Sequence, residues 1–167
     1  MHFEARDYVR RYSTLSPMSI VEIGSRNVNG AVRDLFSQQD YTGIDIRPGR
    51  GVDIVVNAID WNPPSLVDFV ICTEVLEHCE HWHRLVLHAC TWLKFGGRII
   101  VTCAGPGREP HSAVDGRALQ KGEWYANISP RDIALALREA GVFADSLEYV
   151  ASSHDTRASA EFIPDQP

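Results

Sequence analysis

Apolar residues recur in short β-branched runs separated by amphipathic stretches. Ser19–Ile23 has the composition of a buried strand. It passes into the small, polar stretch Gly24–Gly30, and Ala31–Phe36 then begins an amphipathic helix for which Asn29 is a natural N-cap. Tyr41–Ile44 forms a second strand ending at Asp45, Val52–Val56 a third, Leu66–Cys72 a fourth and Arg98–Cys103 a fifth. Between the last two, Trp82, Leu85, Val86, Ala89 and Leu93 share one stripe of a helix over 82–93, which Phe95-Gly96-Gly97 stops. Ser129-Pro130-Arg131-Asp132 caps a helix that continues to Ala140 and ends at Gly141. Val142–Ala151 and Arg157–Ile163 read as two closing antiparallel strands, and residues 2–12 as a short leading helix broken at Ser16-Pro17.

The first of these units carries the candidate chemistry. Strand, glycine turn, helix, strand and then an acid, with Asp45 21 positions after Gly24, is the order that holds an adenosine. The turn lets the backbone approach the ligand, and the carboxylate accepts from both ribose hydroxyls. A dinucleotide needs G-x-G-x-x-G to seat its pyrophosphate, but here Ser25, Arg26, Asn27, Val28 and Asn29 separate Gly24 from Gly30. Glu22, just before the glycine, would repel two phosphates yet suits a ligand with a cationic amino group and none, namely S-adenosylmethionine. An ordinary βαβ unit with Glu22 and Asp45 as polar strand ends is the alternative.

With 167 residues the chain reads as one domain, 1–167. A net charge of −6 argues against broad binding to a phosphate backbone, so DNA is not expected as a partner. No apolar run is long enough to span a membrane, and the N-terminus lacks a signal-peptide layout. Cys72, Cys79, Cys90 and Cys103 fall in strands and helices without C-x-x-C pairing, which fits free thiols in a reducing cytoplasm rather than a zinc site.

Four motifs in order carry a resemblance: Val21-Glu22-Ile23-Gly24-Ser25, Gly43-Ile44-Asp45, the stretch Asp68–His78, and Leu93–Thr102. Over residues 19–145 the chain resembles a class I S-adenosylmethionine-dependent methyltransferase of the type-11 kind. It departs from the family's D-x-G-x-G-x-G by keeping one early glycine. The resemblance implies an α/β fold: a Rossmann-like seven-stranded sheet, mostly parallel, with an antiparallel C-terminal strand and helices on both faces. It implies cofactor contacts from Glu22, Gly24, Ser25, Asp45, Ile46, Asn57, Ala58 and Thr73. Glu22 and Gly24 would hold the methionine part, Asp45 the ribose, and Asn57 with Ala58 the adenine, Asn57 standing where the family commonly has Asp. The leading helix often covers the cofactor in this family, which would bring Tyr8 or Tyr12 to the ligand, but a plain packing helix is the expected reading.

Methyl transfer needs alignment and a base for the acceptor, and the expected catalytic residues are His78, His111 and Glu74. Glu74, Glu77 and His78 have E-x-x-E-H spacing, and on a helix they would share one face and could present two carboxylates and an imidazole to one ion. The string is similar to the metal motif of small-RNA 2′-O-methyltransferases and to one in quinone-pathway O-methyltransferases. Oxygen-rich ligands would favour Mg²⁺ or Mn²⁺, with His111 as a further ligand. Many type-11 enzymes resemble this stretch without any metal, so a metal-free site is the expectation. The histidine cluster His78, His81, His83 and His88 also invites a metal reading, but His81 and His83 would diverge at a helix start, and the cluster reads as solvent-exposed. The stretch Ala104–Asn127 is long for a connection, and Pro110-His111 and Trp124-Tyr125 in it suit the wall of a substrate pocket. The expected activity is methylation at oxygen of a small-molecule or glycan acceptor, with either a small acceptor or a partner protein supplying recognition. The rivals are a metal-assisted RNA 2′-O-methyltransferase, a NAD-dependent oxidoreductase, and a non-catalytic cofactor-binding partner subunit.

Overall fold

The structure, a computed structural model, describes residues 3–36 and 39–163. Seven strands form one sheet: β1 (Ser19–Ile23), β2 (Asp40–Asp45), β3 (Ile54–Val55), β4 (Val67–Thr73), β5 (Leu93–Ala104), β6 (Phe143–Val150) and β7 (Asp155–Glu161). Their spatial order is β3-β2-β1-β4-β5-β7-β6. β1 pairs in parallel with both β2 and β4, so the chain winds outward in two directions from the β1–β4 boundary. β7 lies antiparallel between β5 and β6. This is the expected doubly wound sheet with its reversed last strand.

Each face of the sheet buries its own core. On one face α1 (Phe3–Arg10) brings Tyr8 and Val9 against Ile20, Phe69, Ile71 and Ile100. On the other, α2 (Trp82–Cys90) and α3 (Pro130–Glu139) cover Val21, Val70, Ile99 and Val101. β4 is buried on both sides, which is why it reads as a continuous apolar run. Ser129 caps α3 in a full capping box with Asp132, and Gly141 follows it in the left-handed region at φ 74°. No helix among the described residues is long and apolar enough to cross a membrane.

The structure corrects several boundaries. The helix expected from Ala31 is only a 3₁₀ turn, Arg33–Phe36. Six residues barely repay helix nucleation, and tertiary ties claim them instead. Arg33 pairs with Asp53 at 2.7 Å and donates to the Tyr41 carbonyl, while Arg6 donates to the Ala31 carbonyl. Asn29 lies four residues before this turn, and the Asn27 side-chain oxygen, accepting from the Gly30 N–H at 3.0 Å, closes the preceding loop. The third strand shrinks to two residues because the Val52 N–H is spent on the Gly49 carbonyl. α2 stops at Cys90, three residues early, and Leu93 already pairs with Val67. Phe95-Gly96-Gly97 therefore lies within β5, at an irregularity where the pairing jumps from Val67↔Leu93 to Phe69↔Arg98, rather than ending a helix. Cys79 sits after a 3₁₀ turn rather than in a strand or helix, and all four cysteines are free.

Candidate functional site

At the carboxyl ends of β1, β2 and β4 the sheet opens into a cavity of about 940 Å³. It lies where the winding reverses, the place in an open α/β sheet where ligands bind. Glu22, Gly24, Ser25, Asp45, Ile46, Asn57, Ala58 and Thr73 all line it, as do Glu74, His78 and His111. Eleven residues from five separate segments thus converge because their strands end side by side. Tyr8 and Tyr12 do not line it: they lie across the sheet, where the Tyr8 hydroxyl donates to Ser146 at 3.0 Å.

The turn after β1 fits a backbone pressed against a ligand. Gly24 has φ 76°, and a Cβ built there would overlap Val75 Cγ2, well inside the 3.0 Å that real Cβ contacts respect. Its N–H and that of Ser25 both donate to the Ile44 carbonyl, so one β2 carbonyl fixes the turn. Glu22 is only 3% exposed and accepts from the Tyr41 hydroxyl at 2.8 Å. Burial pushes its carboxyl up to about 7, against the pull of the Tyr41 hydrogen bond and of Arg33. A cationic ligand group would favour its charged form, so the residue fits an ammonium. Asp45 accepts from the Arg47 N–H at 2.9 Å and the Arg26 N–H at 3.3 Å, which orients the carboxylate and leaves lone pairs for hydroxyls. The Asn57 side-chain oxygen accepts from the Ile59 N–H at 3.2 Å and caps the short turn Ala58–Asp60, so it ends β3 and still has a second lone pair. Tyr41 is a site residue that no motif flagged, since only the pairing of β1 with β2 brings it to Glu22.

At the other end, the E-x-x-E-H string is not helical. Glu74 has φ 56° and accepts from Thr102 Oγ1 at 2.9 Å, while Leu76–His78 form one 3₁₀ turn. The shared helical face of Glu74, Glu77 and His78 is therefore not what forms. Instead Glu77, His78 and His111 each bring a ligand atom within 4.8 Å of the others. Glu77 is wholly buried, with the backbone N–H groups of Glu77 and Ala104 and the Arg108 guanidinium as the groups that favour its charged form. Burial and the nearby Glu74 hold its carboxyl well above the usual range. The His78 and His111 rings meet edge to face at 5.0 Å, with Tyr125 against both at 5.4 and 5.2 Å. Burial lowers His78 to about 4, leaving it neutral.

The long connection supplies the wall on this side. His111↔Ala118 form an isolated bridge, and the Ser112 hydroxyl donates to Glu123 at 2.9 Å. Arg108 anchors the base of the loop through the buried Asp155 at 2.9 Å. Trp124 lines the cavity. Of the histidines expected in solvent, only His81 is exposed; His88 hydrogen-bonds to the Trp61 carbonyl at 2.8 Å, and His83 pairs with Glu139 at 3.1 Å.

A family model described as a methyltransferase domain matches residues 1–145, and the chain belongs to that family. No curated protein matches it in sequence. Its fold is similar to the 1,6-didemethyltoxoflavin-N1-methyltransferase of Burkholderia thailandensis, solved with its substrate and S-adenosylhomocysteine: 12% identity, TM-score 0.70, covering 96% of this chain and 77% of that one. The magnesium protoporphyrin IX methyltransferase of Synechocystis PCC 6803 with bound SAM gives 15% identity and a TM-score of 0.69 over 95% and 78% of the two chains. The sugar N-methyltransferase KedS8 of Streptoalloteichus sp ATCC 53650 gives 14% and 0.72 over 95% and 87%. Family and fold define the class as S-adenosylmethionine-dependent methyltransferases.

Proposed function

We propose that the protein methylates a hydroxyl oxygen of a small-molecule acceptor, with the cofactor lying across the β1–β4 boundary. The carrying observation is the polarity of this cavity. Buried Glu22 and oriented Asp45 stand at strand ends beside the Gly24 turn, and the neutral His78 imidazole, the His111 ring and an aromatic wall stand opposite. When bound, the cofactor supplies an electrophilic methyl group on a sulfonium. Glu22 would neutralise its ammonium, Asp45 would take the ribose hydroxyls, and Ala58 and the free lone pair of Asn57 would meet the adenine. His78 and His111 would meet the acceptor oxygen, with Glu74 held by Thr102 at the edge of the same space. The structurally similar enzymes include N-methyltransferases and a 7-O-methyltransferase, so the choice of oxygen rests on the imidazole pair of this chain.

The test is transfer of labelled methyl from S-adenosylmethionine to a panel of hydroxylated small molecules and glycans, beside a thermal-shift titration with S-adenosylhomocysteine and NAD. A ligand at 100 times its Kd adds about 2.7 kcal/mol. Stabilisation by S-adenosylhomocysteine and not by NAD, with label in a base-stable ether, is the expected result. Label appearing only on amines would overturn the oxygen assignment, and activity only with an added protein would favour a partner-dependent subunit.

A further inference from the structure

We infer that the end of the sheet opposite the cavity is a dimer interface, where a second copy of this chain docks around a twofold axis beside Phe95 of β5. Five adjacent strands each present one large apolar residue there: Met18 just before β1, Leu66 just before β4, Phe95 in β5, Ile163 just past β7 and Phe143 at the head of β6. β7 runs against the other four, so its last residues lie where they begin. Hydrogen bonds fix the row. The Met18 and Ser19 N–H groups both donate to Asp68 at 2.9 Å, which sets the head of β1 beside that of β4. The Gly96 N–H donates to the Phe162 carbonyl at 2.9 Å and the Phe162 N–H to the Gly97 carbonyl at 2.8 Å, which sets Phe95 beside Ile163. With strands about 4.8 Å apart, the row runs for roughly 20 Å.

Each of the five is 52 to 75% exposed. Five large side chains at that exposure leave on the order of 600 Å² of apolar surface in water, at the top of the roughly 300–600 Å² reached by the largest patch on a typical monomer. A homodimer interface buries about 800 Å² per partner and is about 65% apolar, so each copy must supply about 500 Å² of apolar surface. The row supplies it. Its charges also match a second copy. Lys94 Nζ reaches towards β1 and β4, 3.1 Å from Ser19 Oγ and 2.9 Å from Asp68. At the far end one guanidinium, that of Arg98, serves two half-exposed carboxylates, Asp145 at 2.6 Å and Glu161 at 3.0 Å, which leaves an excess of negative charge. β5 is the middle strand of the five, so a twofold axis there lays the lysine end of one copy on the acidic end of the other, and Phe95 on its own counterpart. A lipid surface fits less well, because the chain carries a net charge of −6 and anionic headgroups would repel it. Both cavities face outward from such a dimer, so docking leaves them open.

The test is sedimentation equilibrium of the full chain over a range of concentrations, with wild type beside Phe95→Ser and, as a control outside the row, Leu135→Ser on α3. Wild type should sediment as a dimer. Phe95→Ser should raise the dimer Kd on the order of 100-fold, since an apolar anchor at the centre of an interface dominates its energy. Leu135→Ser also removes an exposed apolar side chain and should leave the Kd unchanged. Lys94→Glu and Glu161→Lys should each lose the homodimer, and an equimolar mixture of the two should regain a dimer. The mixed pair reverses both charges at one contact and keeps the native pair at the other, so the regain reports the twofold docking itself. It does so even if either change weakens the fold locally, which circular dichroism melts record. A wild type that stays monomeric at every concentration, or that floats with phosphatidylcholine vesicles instead of pairing with itself, would overturn the interface. So would a dimer that Phe95→Ser leaves intact, a dimer that Leu135→Ser disrupts equally, or a mixture of the charge variants that stays monomeric.

Discussion

Gly24→Ala is the sharpest single probe of how this site is built. The position has φ 76°, and the new methyl group would overlap Val75 Cγ2, with Val75 Cβ at 3.5 Å and Cγ1 at 3.8 Å. A left-handed backbone costs an L-residue about 1–2 kcal/mol. Forcing a methyl into a packed neighbour adds about 1–3 kcal/mol, since Val75 is β-branched and stiff at χ1. The total is about 3 kcal/mol, which for a domain of this size lowers Tm by roughly 6–12 °C. Because the turn also forms the cavity wall, S-adenosylhomocysteine should cease to raise Tm at concentrations that saturate wild type. The steric part can be isolated by Val75→Ala in the same background, since the truncated side chain makes room but leaves φ unchanged. A double-mutant cycle by denaturant melts should therefore show a favourable coupling of about 1–3 kcal/mol. Additivity within about 0.5 kcal/mol would show that Val75 is not what excludes a side chain at this turn. A Gly24→Ala protein that melts like wild type would refute the backbone argument as well.

Three further outcomes follow from other contacts. Glu22 is raised to about 7 from an ordinary 4.5, so the native state holds this proton more tightly than the unfolded chain. Stability of the ligand-free protein should therefore fall as pH rises from 4.5 to 7, by about 3 kcal/mol from this group, and level off above. Glu22→Gln should lose that slope, and in wild type S-adenosylhomocysteine affinity should rise across the same window; a pH-independent affinity would refute the ammonium contact. Asp45→Asn keeps an oxygen for only one of the Arg26 and Arg47 N–H groups, which bond to different carboxylate oxygens, and loses the charge; it should weaken S-adenosylhomocysteine binding about 10- to 100-fold by titration calorimetry and cost about 1 kcal/mol of stability from the lost turn contact. Ser129→Ala removes the capping box of α3, which should cost about 1 kcal/mol in thermal melts and leave ligand binding unchanged.

The cofactor end of the site was legible in the chain because its residues are tied to strand ends. A strand that is buried on both faces must read as an apolar run, and the first polar or glycine residue after it marks where the sheet opens. Glu22, Gly24, Asp45 and Thr73 could be placed that way before any tertiary contact was known. α3 was legible for a similar reason, since Ser129, Pro130 and Asp132 satisfy its first N–H groups locally. The turn after Gly30 was not. Apolar spacing at Val32 and Phe36 suggested a helix, yet those residues are buried from a 3₁₀ turn because Arg33 is committed to Asp53 and Tyr41. The end of α2 was missed because Leu93 fits the helical stripe but is taken by Val67 across the sheet. Local pattern loses wherever a distant partner offers a better bond.

The same division holds for the chemistry. The sequence by itself determined the strand and helix segments, the strand-end residues that line the cavity, and the E-x-x-E-H string beside β4, which follow from periodicity and local spacing, while the doubly wound sheet was what the family resemblance implied. Only the tertiary structure decided that Glu74 turns to Thr102, that Tyr41 reaches Glu22, and that His111 crosses from a distant loop to complete a triad with Glu77 and His78. Spacing fixes which residues can share a helical face. It is silent once a residue at φ 56° breaks that helix and His111 reaches the same place from more than thirty positions away.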